Sequence, residues 1–159
     1  MKRFLPLLFL SGCLFTADRI EPTGAAALDA RSSDAFFQLF QQAYETRSVG
    51  TLATLLAPDY EFQADPASVS DPSMATWGRD VELVRHQRMF QAIGDVNLIL
   101  LHDLAQPTEV PAESTWHVSE LRMTLSIQDT LYEVLGQADF TIRVDSTGIY
   151  RLVRWTDRN

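Results

Sequence analysis

The order of periodicities along the chain predicts an α+β domain: three N-terminal helices, then a run of antiparallel strands. Two observations carry this. Phe36, Phe37, Phe40, Ala43 and Tyr44 recur at helical spacing. From residue 115 onward, apolar and polar residues alternate over three long stretches, as they do in antiparallel strands with one wet face. At 159 residues, 46% hydrophobic and 21% charged, the chain is sized for one domain with a real core.

The first residues are not part of that domain. Met1-Lys2-Arg3, an apolar run from Phe4 to Leu10, and Ser11-Gly12-Cys13 make a basic n-region, a short h-region and small residues before a cleavage point. Residues 1–12 therefore read as a signal peptide, too short to span a bilayer, which takes about 20 residues. Leu10-Ser11-Gly12-Cys13 resembles the bacterial lipobox. That resemblance implies that Cys13 is lipidated and becomes the new N-terminus, the alternative being a plain secretory signal with a chance cysteine. Acyl chains on Cys13 would anchor the protein to a membrane without a spanning helix. They would also remove the chain's single cysteine from disulfide, nucleophile or metal chemistry. Leu14 rather than Asp follows, which in a Gram-negative cell implies the outer membrane. Residues 13–31 lack periodicity and carry Pro22 and Gly24, so they read as the lipidated cysteine and a flexible tether. Residues 32–159 are the domain.

Charge excludes some partners. The chain carries a formal −8. Loss of Lys2 and Arg3 with the leader leaves 11 basic against 21 acidic residues, about −10, a surface that repels nucleic acid. Lys2 is the sole lysine, so Schiff-base chemistry is excluded after cleavage.

Within the domain, Ser32 or Ser33 caps the first helix and Asp34 favours its dipole. A second, short helix carries Leu52, Leu55 and Leu56 and stops before Pro58. Tyr60, Phe62 and Ala64 alternate with Glu61 and Gln63 in a short strand closed by Asp65-Pro66. Residues 66–76 read as loop, and a third helix runs from about Trp77 to Ala92. Strands follow at 95–103, 115–128, 131–145 and 149–156. A tight turn at Asp129-Thr130 would face Ile127 with Tyr132, Leu125 with Val134 and Leu121 with Ala138, all apolar pairs. Gly148 suits a turn position with positive φ. A three-residue loop there turns Tyr150 and Leu152 inward, and a two-residue turn Ile149, Val153 and Trp155. The sequence leaves both open.

This element order, with Ala64-Asp65-Pro66 at the strand exit and Gly148 to Trp155 as the last strand, resembles the nuclear transport factor 2-like (SnoaL-like) superfamily over about residues 33–157. The resemblance implies a strongly curved sheet wrapping the helices into a cone with a pocket at its open end. In the ketosteroid isomerase branch an Asp-Pro after the first strand supplies a general base, which makes Asp65 a candidate. A first-helix tyrosine stabilises the oxyanion there. The matching position is Phe40, which cannot donate.

Other candidates are sparse. His86, His102 and His117 show no i,i+4 partner and no metal-ligand motif, so no metal and no cofactor is expected. His117 precedes Ser119, Leu121, Met123, Leu125 and Ile127 on the presumed inner face. That makes it a second catalytic candidate, against the plainer reading of a histidine at a strand's wet end. Trp77, Arg79, Asp80, Glu82 and Arg85 read as a solvated or capping stretch, with Glu82 three residues before Arg85. Glu120, Arg122, Asp139 and Arg143 read as cross-strand ion pairs on the polar face.

The functional expectation is a lipid-anchored, extracytoplasmic domain without enzymatic activity. It would bind a small apolar ligand among Phe40, Tyr44, Tyr60 and Tyr132, or associate through its sheet as a homodimer. The rival is an isomerase-, dehydratase- or cyclase-like enzyme using Asp65 or His117 with Tyr44, Tyr60 or Tyr132 as donors. A third reading is an accessory role in envelope assembly.

Overall fold

The computed structural model describes residues 29–67, 69–71, 75–102, 113–128 and 130–158. The expected signal peptide, Cys13 and the expected tether up to residue 28 lie outside the described residues. Three helices, α1 (Ser33–Glu45), α2 (Val49–Leu55) and α3 (Arg79–Ala92), pack on one six-stranded sheet. Its strands are β1 (Leu56–Gln63), β2 (Thr76–Gly78), β3 (Val96–His102), β4 (Glu113–Ile127), β5 (Thr130–Val144) and β6 (Tyr150–Arg158), in spatial order β2-β1-β6-β5-β4-β3.

Local chemistry sets the helix starts. The Ser32 hydroxyl accepts the Ala35 N–H at 3.1 Å, and Ser48 does the same for Thr51 at the head of α2. Helix α3 has no side-chain cap, but Asp80 and Glu82 lie in its first turn, where negative charge suits the dipole. Phe36 and Phe40 of α1 are fully buried with Phe140, Ile142 and Leu152 of the sheet, and this contact is the centre of the core.

Several expectations need correction. Helix α2 ends at Leu55, so Leu56 is already strand. Pro58 sits in β1 where the pairing with β6 slips, a place in a sheet that tolerates a missing N–H. The sheet is mixed: β1 lies parallel to β6, because the chain leaves β1 for α3 and the meander before β6 returns beside it. Trp77 belongs not to a helix but to β2, a short strand on β1. Ala30 is buried and accepts the Tyr150 N–H at 2.7 Å, so the chain is docked from there, short of the expected tether end at residue 31.

The β4–β5 hairpin is there, but Ile127 pairs with Thr130, Leu125 with Tyr132 and Leu121 with Gly136. The turn closes one residue earlier than expected, with Gln128 at φ 47°. The resulting two-residue slide keeps every side chain on its own face, so the apolar pattern could not detect it. At Ser119-Glu120 two residues oppose the single Gln137, a bulge that bends the strand and reverses which residues face in. A second bulge, at Val153, settles the last strand: Tyr150 and Leu152 face in before it, Trp155 after it. Gly148 has φ 79°, as the longer loop requires.

Candidate functional site

The two bulges curl the sheet around α1 and leave a cavity of about 350 Å³ on its concave side. Leu98, Leu121, Met123 and Trp155 supply apolar wall, and Gly136 opens space where a side chain would stand. Two polar side chains reach this wall, Tyr44 from α1 and Asp157 from the end of β6. Burial, reinforced by the charge of Asp65, pushes the Asp157 carboxyl above its usual range. A larger depression of about 830 Å³ lies between α1, α2 and the β5–β6 turn. Its rim is strongly polar, with Asp29, Gln42 and Arg151 beside short hydroxyl side chains, of which Ser48 and Thr54 are already bonded within α2. The concave cavity, with its mostly apolar wall, is the better-built candidate.

Behind its wall lies a buried polar chain. The Tyr44 hydroxyl is 2.6 Å from His86 Nε2. His86 Nδ1 is 3.0 Å from the Glu82 carbonyl oxygen and 3.3 Å from Glu82 Oε1. The other carboxylate oxygen of Glu82 accepts the Trp77 indole N–H. Tyr44 is 3% exposed and Glu82 4%, so these groups satisfy one another away from water. Burial raises the Tyr44 hydroxyl well above the usual tyrosine range, and the Glu82 charge adds to it. Trp77 stacks on Phe62 at 4.1 Å and carries the Arg85 guanidinium on its ring. The solvated reading of this stretch thus fails at Glu82, which pairs with His86 four residues on rather than with Arg85.

The fold has counterparts among solved structures. A conserved protein of Planctomyces limnophilus superposes with a TM-score of 0.64 at 14% identity, over 77% of this chain and 89% of that one. A Novosphingobium aromaticivorans protein described as nuclear transport factor 2-like with a cystatin-like fold gives 0.54 at 14%, over 77% and 75%. The fold is nuclear transport factor 2-like. Another protein of N. aromaticivorans, a candidate scytalone dehydratase, gives 0.61 at 14%, over 80% and 81%. No protein-family model and no curated protein sequence matches the chain.

On this nuclear transport factor 2-like scaffold the expected site residues scatter. Of the four aromatic pocket candidates, Tyr44 alone lines the cavity. Phe40 is in the solid core. Tyr60 is buried, raised above the usual range by burial, with a hydroxyl that finds no partner among the described residues. Tyr132 is half exposed near the hairpin end. Asp65 caps a turn, accepting the Ala67 N–H at 2.9 Å, and lines a separate shallow depression that shares Asp157 with the cavity. Its own charge bears on the site by raising the Asp157 carboxyl. His117 is on the outer face, because the bulge at Ser119 turns Trp116 and Val118 inward in its place. Its Nδ1 meets Asp139 Oδ1 at 2.9 Å, 46% of its side chain exposed.

Sequence reasoning missed His86, Glu82 and Asp157. The first two carry a signal, an i,i+4 Glu-His pair, although the sequence reading found no such partner for any histidine. Asp157 carries none, since its inward direction depends on the bulge at Val153. Among the described residues no three His, Cys, Asp or Glu side chains cluster as metal ligands, and no helix is long and apolar enough to cross a membrane.

Proposed function

We propose that the chain is held at the cell envelope by acyl chains on Cys13, and that its cone binds a small, mostly apolar molecule without transforming it. The observation that carries the binding reading is the cavity itself. It is apolar over most of its wall, has two polar side chains, and its volume of about 350 Å³ falls within the range of small-molecule sites. The anchoring reading rests on the leader and on Leu10-Ser11-Gly12-Cys13. Native mass spectrometry of the protein extracted from its host's membranes should find a copurifying small molecule. A Gly136→Leu variant, which fills the cavity, should lack it; an adduct retained by that variant would place the ligand elsewhere. Cys13→Ala should move the protein out of the membrane fraction.

An enzymatic reading is favoured by one observation, the Tyr44–His86–Glu82 chain beside a cavity that also holds the Asp157 carboxylate. The likeness to a candidate scytalone dehydratase points the same way. In that reading Tyr44 is a proton donor and Asp157 a base, with Asp65 and His117 uninvolved. Conversion of the copurified molecule on incubation, abolished by Tyr44→Phe, would favour it.

Self-association uses a different surface. Ile99, Leu101 and Leu135 are exposed on the outer face, with Arg122 between Ile99 and Leu135 in register. We propose this face as the homodimer contact. A wild-type dimer in sedimentation that becomes a monomer with Leu135→Arg would support it.

A further inference from the structure

The hydrogen bonds behind Tyr44 fix what kind of polar group the cavity can receive. His86 Nδ1 lies 3.0 Å from the Glu82 main-chain carbonyl and 3.3 Å from its carboxylate. Both partners accept and neither carbonyl nor carboxylate can donate, so Nδ1 carries the proton. A neutral imidazole has a single N–H, so Nε2 keeps its lone pair. The Tyr44 hydroxyl, 2.6 Å away, must then give its proton to Nε2. What Tyr44 has left on the cavity wall is lone pairs. The other polar side chain on the wall, Asp157, accepts only when ionised. Trp155 has a donor, but its Nε1 is fully covered by protein and reaches no partner among the described residues.

From this we infer that the cavity is an acceptor-only site and selects an apolar alcohol or phenol over the ketone of the same skeleton. The inference rests on the binding reading above and names its ligand class. A ligand hydroxyl would donate to Tyr44 Oη, whereas a ligand carbonyl would set acceptor against acceptor and bury an unpaired lone pair. One such mismatch costs roughly 1–3 kcal/mol, on the order of ten- to a hundredfold in affinity. His86 and Glu82 are positioning residues here. They touch no ligand, but they decide which way the Tyr44 proton points.

The test uses the full-length protein in lipid nanodiscs at pH 8, where an ordinary imidazole is neutral. Affinities for 2-decalol and 2-decalone are compared through quenching of tryptophan fluorescence. Wild type should prefer the alcohol by about tenfold or more. Tyr44→Phe should narrow the preference, leaving Asp157 as the acceptor side chain on the wall. His86→Phe should free the Tyr44 proton and reverse the preference toward the ketone, and nitrogen NMR of wild type should show His86 protonated at Nδ1 alone. A wild type that binds both equally, or prefers the ketone, overturns the inference while leaving the binding reading intact. A wild type that binds neither overturns both. Because the wild-type ratio decides, a His86 variant that fails to fold costs the test nothing.

Discussion

The β4–β5 ribbon has two halves that share one alternating pattern and meet different surroundings. On the turn side of the bulge, toward Ile127 and Thr130, the inward residues Met123, Leu125 and Val134 are only partly covered, and Val134 is 43% exposed. On the other side, Trp116, Val118, Ala138, Phe140 and Ile142 are all buried, with Trp116 and Phe140 against the phenylalanines of α1. Alternation alone therefore does not make core. Core forms where a helix lies over the inward face, and where α1 runs out the same pattern lines a cavity.

The bulge divides the halves, so removing it tests the comparison most directly. Deleting Ser119 leaves Glu120 alone opposite Gln137, so the ladder becomes regular and Trp116, Val118 and Leu121 all still face in. What is lost is the bend that carries β4 from the cover of α1 to the cavity. The variant should therefore melt cooperatively yet lose ligand binding altogether. Wild-type affinity in this variant would show that the bend does not shape the cavity.

Next in size is a matched pair of truncations across the same boundary. Phe140→Ala, in the covered half, should cost about 3–5 kcal/mol. Leu125→Ala, in the uncovered half, should cost on the order of 1 kcal/mol, because its side chain already meets solvent. Equal losses in urea unfolding would mean that the halves do not differ as described. Gly136→Val acts in the opposite sense. A Cβ there meets nothing within 4 Å, and valine suits a strand better than glycine. Stability should rise by about 0.5–1 kcal/mol while ligand affinity falls at least tenfold. Unchanged binding would move the ligand out of the cone.

The same boundary marks where the sequence could be read. Helix α1 was legible because Phe36, Phe37 and Phe40 at one helical face and a serine cap agree, and the two-faced strands were legible from alternation. A bulge leaves no such mark. Ser119-Glu120 and Val153 look like any strand residues, yet each reverses the facing of everything beyond it. Alternation alone leaves His117 between an inward position and a strand's wet end, and gives Asp157 no facing at all, for that one reason. Phe40 and Tyr132 failed as pocket residues on a different ground: a helical face says which residues are covered, not whether a sheet or an empty space covers them. The Glu82–His86 pair was visible at i,i+4 spacing, but its carboxylate is buried only because β2 brings the Trp77 N–H to it.

The smallest effect tests the outer face against the cavity. Asp139 accepts from His117 Nδ1 at 2.9 Å and from Arg158 Nε at 2.8 Å. Partial burial pushes the carboxyl up, but the hydrogen bonds from His117 and Arg158 outweigh it and hold it below the usual carboxylate range. A lowered native pKa means that this stability is fully present above the ordinary carboxylate range of about 4 and is lost as acid titrates the folded group. Asp139→Asn should therefore cost about 0.5–1 kcal/mol at pH 7, as a partly exposed ion pair does. Its deficit in urea unfolding should shrink between pH 5 and pH 2. Neither it nor His117→Gln should alter ligand binding, since both side chains stand on the far side of the sheet from Tyr44. Were His117→Gln to weaken binding while leaving stability alone, the inward reading of this histidine would return, and with it a different course for β4.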